Sequence, residues 1–262
     1  LSSSSAASDV YKRQVPGAMI RAHMATYPKR RELLLPALAS ILPQVDRVFL
    51  VMNEYRAIPE EISGLEKVEA VIPETDLKDV GKFMPTPAPD DLVLFVDDDL
   101  VYAPTYAEQL ILAAERIGLD RSVFGYHGSI YQEVAKKGAN GRKVFPFYKP
   151  LAQTVCVDQL ATNSMLALGR NVPPLSYMMG SQKFVDVRYA RWLCEQGVKS
   201  WCLARSHKIA DELRVSSGRH ETIYKTFTRK SPDHVIVEIV QFAGKGLGIG
   251  KRLGAENDVS LE

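Results

Sequence analysis

Leu92-Val93-Leu94-Phe95-Val96-Asp97-Asp98-Asp99 is the stretch whose reading decides the fold. Five apolar residues run straight into three carboxylates. A strand that is apolar on both faces belongs in the middle of a covered, mostly parallel sheet. The carboxyl ends of such strands open onto the crevice where open α/β sheets take their ligands. Side chains alternate along a strand, which puts Asp97 and Asp99 on one side and Asp98 on the other. Two carboxylates about 4 Å apart repel by roughly 4 kcal/mol at an effective dielectric near 20, so something positive is expected between them. Carboxylate oxygens suit a hard divalent cation, Mn²⁺ or Mg²⁺. A solvated acidic turn capping the following helix is the plainer alternative; a cap rarely needs three acids behind a wholly apolar strand.

Elements alternate on either side of this stretch. Ala18 to Ala25 reads as a strand, and the turn Thr26-Tyr27-Pro28-Lys29-Arg30 sets proline at the first turn of a helix. That helix runs to about Leu42, with Leu34, Leu35, Leu38, Ile41 and Leu42 as its apolar face and Pro36 inside it. Strands follow at Arg47 to Met52, ending in Asn53-Glu54, and at Val68 to Ile72. Residues 74–91 read as a proline-bearing loop that carries Lys78 and Lys82. Thr105 to Ile117 is a helix stopped by Gly118, and Phe184 to Gln196 is another stopped by Gly197. Further strands are expected at 122–126, 144–148, 154–157, 164–168 and 198–203. The alternation predicts an α/β fold with a doubly wound, mostly parallel central sheet. Beyond Leu213 the pattern fades, and Ala243 to Gly254, with five glycines, reads as mobile.

Bulk properties narrow the function classes. The 262 residues are 46% hydrophobic and 24% charged, ordinary for a globular protein. A net charge of +2, from 33 basic and 31 acidic residues, argues against a general nucleic-acid binder. No apolar run approaches the roughly 20 residues of a membrane span. Three cysteines, Cys156, Cys194 and Cys202, are odd in number and lack C-x-x-C spacing, which reads as reduced thiols in a reducing compartment.

Leu1 to Gln14 begins without Met, and its Ser-Ser-Ser-Ser-Ala-Ala-Ser run is low in complexity. It resembles translated adapter read-through of assembled sequence and is expected to stand outside the fold. The expected division is therefore a leader at 1–14, a catalytic domain at 15–213 and a partly mobile C-terminal extension at 214–262.

The order of these features resembles a family 2 glycosyltransferase with the GT-A fold, a Rossmann-like arrangement. The matching pieces are the Thr26-to-Arg30 turn after strand one, Asp97-Asp98-Asp99 as the D-x-D motif, and Asp186 at the start of a helix that ends in Gly197. The likeness covers about Ala18 to Leu213. It implies a nucleotide-diphospho-sugar donor, with Asp99, alone or with Asp97, on the divalent cation and either Asp97 or Asp98 toward the ribose or the sugar. It implies a nucleotide pocket lined by Thr26, Tyr27 and Arg30, with Asn53, Glu54 and Lys82 beside it. Asp186 falls where the family's catalytic base falls, taking the acceptor hydroxyl's proton. A helix-dipole role for Asp186 is the modest alternative. His207 after the last predicted strand stands as a candidate metal ligand, although a lone histidine is more often structural. Lys208, Arg214 or Arg219, in a segment 205–230 of net charge +4, are candidates to close over a diphosphate, against the commoner reading of a solvated face. The implied acceptor is a glycan or lipid-linked glycan in cell-envelope polysaccharide synthesis. The implied setting is cytoplasmic, with peripheral association at the inner face of a membrane.

Departures from the family pattern keep other readings open. Strand two ends Met52-Asn53-Glu54 rather than in an Asp-Asp-Gly-Ser turn, and Val185 replaces the usual Glu before Asp186. The chain lacks a Q-x-x-R-W motif, which points to single rather than processive transfer. Asp97-x-Asp99-x-Val101 also fits a haloacid-dehalogenase-type phosphatase with Asp97 as nucleophile, though there the strand normally opens the fold. A sugar nucleotidyltransferase normally has a glycine-rich loop after strand one, and 25–31 holds no glycine. A non-catalytic nucleotide-sugar-binding domain is the remaining alternative.

Overall fold

The computed structural model describes residues 6–132, 134, 140–214 and 232–253. Helix α1 (Ala6–Gln14) precedes strand β1 (Ile20–Thr26), and the Pro28–Arg30 turn leads into α2 (Arg31–Ile41). Strands β2 (Arg47–Met52), β3 (Val68–Val71), β4 (Leu92–Val96) and β5 (Leu100–Tyr102) follow, then α3 (Tyr106–Ile117). The strands that come next are β6 (Ser122–Gly125), β7 (Gly128–Tyr131), β8 (Arg142–Phe145), β9 (Val155–Val157), β10 (Gln159–Leu160) and β11 (Ser164–Leu168). Helix α4 (Val185–Glu195), β12 (Lys199–Cys202), β13 (Ala210–Glu212) and α5 (Asp233–Phe242) follow, and single helical turns lie at Glu60–Ser63 and Leu175–Met178.

Eight strands form one sheet in the order β3-β2-β1-β4-β11-β6-β12-β9. Strands β1 to β4 run parallel, as do β6 and β12, while β11 lies antiparallel between β4 and β6 and β9 antiparallel at the edge. The carboxyl ends of β1, β2, β4, β6 and β12 therefore share one edge with the start of β11. Strand β4 is buried along its whole length. Leu92, Leu94 and Val96 pack into the cluster that holds α1, α2 and α3, whereas Val93 and Phe95 pack into the one that holds α4 and the 78–83 turn. An apolar residue at every position is what two covered faces require. Pro36 stays inside α2 without ending it.

Three regions depart from the sequence reading. The segment set aside as a leader carries α1, with Ala7 and Tyr11 buried in the main core and the Tyr11 hydroxyl donating to the Asp90 carbonyl at 2.6 Å. Residues 78–83, expected in an open loop, form a buried 3₁₀ turn against β1 and β2. The glycine-rich run 243–253 is threaded along β9, with Gly250 N–H to Cys156, Cys156 N–H to Lys251 and Leu253 N–H to Thr154, all near 3 Å. The strand expected at 144–148 appears two residues earlier as β8, in the small sheet β10-β7-β8; the other strands of that sheet and the pair β13-β5, two to four residues long, were not expected. Among the described residues no helix is long and apolar enough to cross a membrane, and the three cysteines are free.

Candidate functional site

The strand hydrogen-bonding of β4 stops at Val96, and the chain turns at once through Asp98 and Asp99 before β5 begins. Strand alternation therefore holds only for the first two acids. Asp97 continues the Val93 and Phe95 face, and its carboxylate pairs with the Lys82 ammonium. Asp98 takes the opposite face, buried, with Oδ1 receiving Arg30 Nη1 at 2.5 Å. Asp99 is swung round by the turn until Oδ2 lies 3.1 Å from Arg30 Nη2. One guanidinium thus spans Asp98 and Asp99 while Lys82 holds Asp97, and Asp97 still lies near enough to Asp99 to be the strongest charge acting on it.

Both cations are placed by backbone far from the acids in sequence. Arg30 closes the Pro28–Arg30 turn at the end of β1, with its guanidinium carbon 5.6 Å from the Tyr27 ring centre. Lys82 is buried because Gly81 lets its turn press onto β1 and β2; a Cβ at Gly81 would stand 2.9 Å from Val51 Cγ1. The Lys82 carbonyl bonds His23 Nδ1 at 2.8 Å, and Arg21 Nε donates to His23 Nε2 at 2.9 Å. Nε2 is thereby the acceptor and Nδ1 carries the proton, the neutral tautomer. Burial, with Arg21 beside it, pushes the His23 pKa down to about 3, so the ring stays neutral across the physiological range.

The other wall comes from the turn before β11 and from α4. Lys82 Nζ also donates to the Thr162 carbonyl at 2.9 Å. Thr162 N–H and Oγ1 both donate to Asp186 Oδ1, each at 2.8 Å, in the first turn of α4. Tyr102 ties the two walls together: its hydroxyl accepts from Asp97 N–H at 2.8 Å and donates to the Asn163 carbonyl at 2.7 Å. Lys183, just before α4, has φ of 74°, a left-handed conformation held by its N–H donating to Asp79 Oδ1 at 2.7 Å. Tyr102, Thr162 and Asp79 had no signal in the sequence; each acts through a partner 5 to 104 positions away.

Five carboxylates, Asp79, Asp97, Asp98, Asp99 and Asp186, thus surround two cations, and the titration behaviour follows. Burial first and then Asp97 push the Asp99 pKa up to about 7, with Arg30 opposing. Burial raises Asp79 to about 6, and Asp186 adds to it. Burial also raises Asp98 and Asp186; Arg30 is the main opposing influence at Asp98, and the two Thr162 bonds at Asp186.

The remaining predicted residues divide. Thr26 is buried beside Asp98, and Tyr27 is half-buried next to Arg30. Asn53 sits at the end of β2, but its amide is spent on backbone: Nδ2 to the Lys78 carbonyl at 3.0 Å, and Oδ1 from Leu77 N–H at 2.9 Å. Glu54 is exposed with φ of 59°. His207 is not brought to the acids; it lines a separate groove with Gln109, Thr154 and Arg205, and its Nδ1 lies 2.9 Å from Ser206 Oγ. Lys208 pairs with Asp211, and Arg219 lies outside the described residues.

No group of three histidine, cysteine or acidic side chains able to hold a metal ion occurs among the described residues. The residues nonetheless fit a cation shared with a substrate. Asp97 and Asp99 are the most open of the three acids, 32% and 23% exposed. Each commits a single oxygen to a cation among the described residues, Oδ1 of Asp97 and Oδ2 of Asp99. Mg²⁺ commonly takes only one or two protein carboxylates, with phosphate oxygens and waters completing its shell. The excess of acids over bases is the electrostatic condition such an ion relieves.

No known protein-family model matches the chain, and no curated protein matches it in sequence. Among solved structures it is similar to a Methanothermobacter nucleotidyl transferase, at 15% identity and a TM-score of 0.46, over 84% of this chain and 99% of that one.

Proposed function

We propose that the protein transfers a sugar from a nucleotide-diphosphate sugar to a hydroxyl acceptor, a glycan or lipid-linked glycan, in one inverting, non-processive step. The observation that carries this reading is the convergence of two kinds of carboxylate on one sheet edge. Asp97 and Asp99 are neutralised only in part, while Asp186 is held by a single oxygen across the Lys82–Thr162 bridge from Asp97. Asp97 and Asp99 would hold Mn²⁺ or Mg²⁺ with the donor's diphosphate. The ion supplies charge stabilisation of the leaving nucleoside diphosphate.

The chain's own residues do the rest. Thr26, Tyr27 and Arg30 form the nucleotide side, where Arg30 keeps Asp98 and Asp99 from repelling the donor outright. Lys82 does the same for Asp97 from beneath. Asp186 accepts the proton of the acceptor hydroxyl at Oδ2, since Oδ1 is committed to Thr162. The freed oxygen attacks the anomeric carbon, and the bond to the diphosphate breaks with its electron pair leaving on phosphate oxygen. A single displacement by one base inverts the anomeric centre. The cell-envelope setting, the cytoplasmic location and peripheral membrane contact belong to the same reading through family resemblance.

The test is a thermal-shift panel of UDP, GDP, CDP and dTDP, each with and without Mn²⁺, followed by assay of the matching nucleotide-sugars. Ligand at 100 times its Kd stabilises by about 2.7 kcal/mol. That corresponds to roughly 5–10 °C for a chain of this size. The rise is expected with one diphosphate plus Mn²⁺, and is lost in Asp99→Ala. Stabilisation by phosphomonoesters alone favours the phosphatase chemistry of Asp97. Binding with neither hydrolysis nor transfer marks a nucleotide-sugar-binding domain instead.

A further inference from the structure

We propose that Thr162 is the positioning residue for Asp186: its two donors pin one carboxylate oxygen and turn the other to the acceptor, while its carbonyl ties this arrangement to Lys82. The inference rests on Asp186 being the base in the proposed transfer. Thr162 is 4% exposed, and all three of its polar groups are committed. N–H and Oγ1–H reach Asp186 Oδ1 at 2.8 Å each, and the carbonyl receives Lys82 Nζ at 2.9 Å.

Two donors on one oxygen do more than hold a rotamer. They spend the lone pairs of Oδ1, so a proton from the acceptor goes to Oδ2. They also favour the ionised carboxylate, which a base must be before it acts. The effect opposes the surrounding protein, which raises the pKa of Asp186. The charged or titratable groups near Asp186 are Lys82, which favours its ionised form, and Asp79, Asp97 and Tyr131, which do not. The Thr162 turn is itself held from the other side, since Ala161 N–H donates to the His127 carbonyl at 2.8 Å. Asp97, Lys82, Thr162 and Asp186 thus form one continuous chain of polar contacts between the donor's acidic cluster and the base.

Thr162→Val keeps the size and the backbone donor and removes only Oγ1–H; Thr162→Ser keeps the hydroxyl. The expected result for Thr162→Val is turnover of the nucleotide-sugar down about tenfold, with the acidic limb of the rate profile moved to higher pH. Stabilisation by the nucleoside diphosphate stays at the wild-type value, and Thr162→Ser recovers most of the rate. A second reading does not depend on turnover: the carboxyl ¹³C signal of Asp186, assigned by its absence in Asp186→Asn, titrates at higher pH in Thr162→Val than in wild type. An unmoved Asp186 titration, or diphosphate binding lost in step with turnover and not recovered by serine, overturns the proposal. Wild-type protein that turns over no nucleotide-sugar overturns the transfer reading instead, while the ¹³C titration still decides whether Thr162 sets the ionisation of Asp186.

Discussion

At the level of single residues, the site is a problem of charge balance. Asp186→Asn keeps the Thr162 contacts in shape and removes the proposed base. Transfer should fall by at least a hundredfold, the usual worth of a positioned general base, with diphosphate-induced stabilisation intact by thermal shift. Equal loss of both would remove Asp186 from the chemistry. Asp99 makes a separate prediction about pH. Its pKa in the folded chain is raised to about 7 from an ordinary value of 3.8. The folded state therefore holds a proton that the unfolded state has released, and stability falls as pH rises from about 4 to about 7. Asp79, raised to about 6, adds to the same slope. Asp99→Asn should flatten the dependence of Tm on pH over this window and raise Tm at pH 8 in metal-free buffer; an unchanged slope would show the carboxylate to be ionised in the fold. Asp97, Asp98 and Asp99 stood out in the sequence because a wholly apolar strand runs into them, whereas Asp186 stood out only through the family resemblance. Thr162, Tyr102 and Asp79 did not, because a hydroxyl or a carboxylate in a turn or a short strand acquires meaning only from what folds against it.

At the level of elements, β4 and the 78–83 turn carry the argument. The run 92–96 was readable because burial on both faces demands an apolar residue at each position, a constraint written locally. The turn was misread as an open loop because nothing local distinguishes a buried lysine from a solvated one. Its burial depends on the contact of Gly81 with Val51 and Ala25. Gly81→Ala forces a Cβ to 2.9 Å from Val51 Cγ1 and 3.2 Å from Val51 Cβ. The expected cost is about 1–3 kcal/mol in chemical denaturation, the usual range for overpacking. Because Lys82 is the next residue, diphosphate affinity should drop as well. A variant as stable as wild type with unchanged affinity would mean that the turn shifts freely and does not position the lysine. The break of strand geometry after Val96 explains why Asp98 and Asp99 share one guanidinium although strand alternation would part them.

At the level of the whole molecule, the sheet is one body built from segments of very different sequence character. Helix α1 is the clearest case, low in complexity around it yet seated on the core through Ala7 and Tyr11. Tyr11→Ala should destabilise by about 2–4 kcal/mol, as for other large buried side chains, lowering Tm by several degrees. A Tm within a degree of wild type would show that the fold does not use this helix. The sequence by itself determined the central strand, the alternation of strands and helices, the acidic end of β4 and the helix that begins beside Asp186. All of these rest on patterns repeating within a dozen residues. Only the tertiary structure decided that Arg30 and Lys82 supply the positive charge between the acids, that one oxygen of Asp186 is spoken for, and that His207 stands apart. Hydrophobic periodicity is a local property of the chain, whereas an ion pair joins residues whose separation in sequence carries no record of their contact.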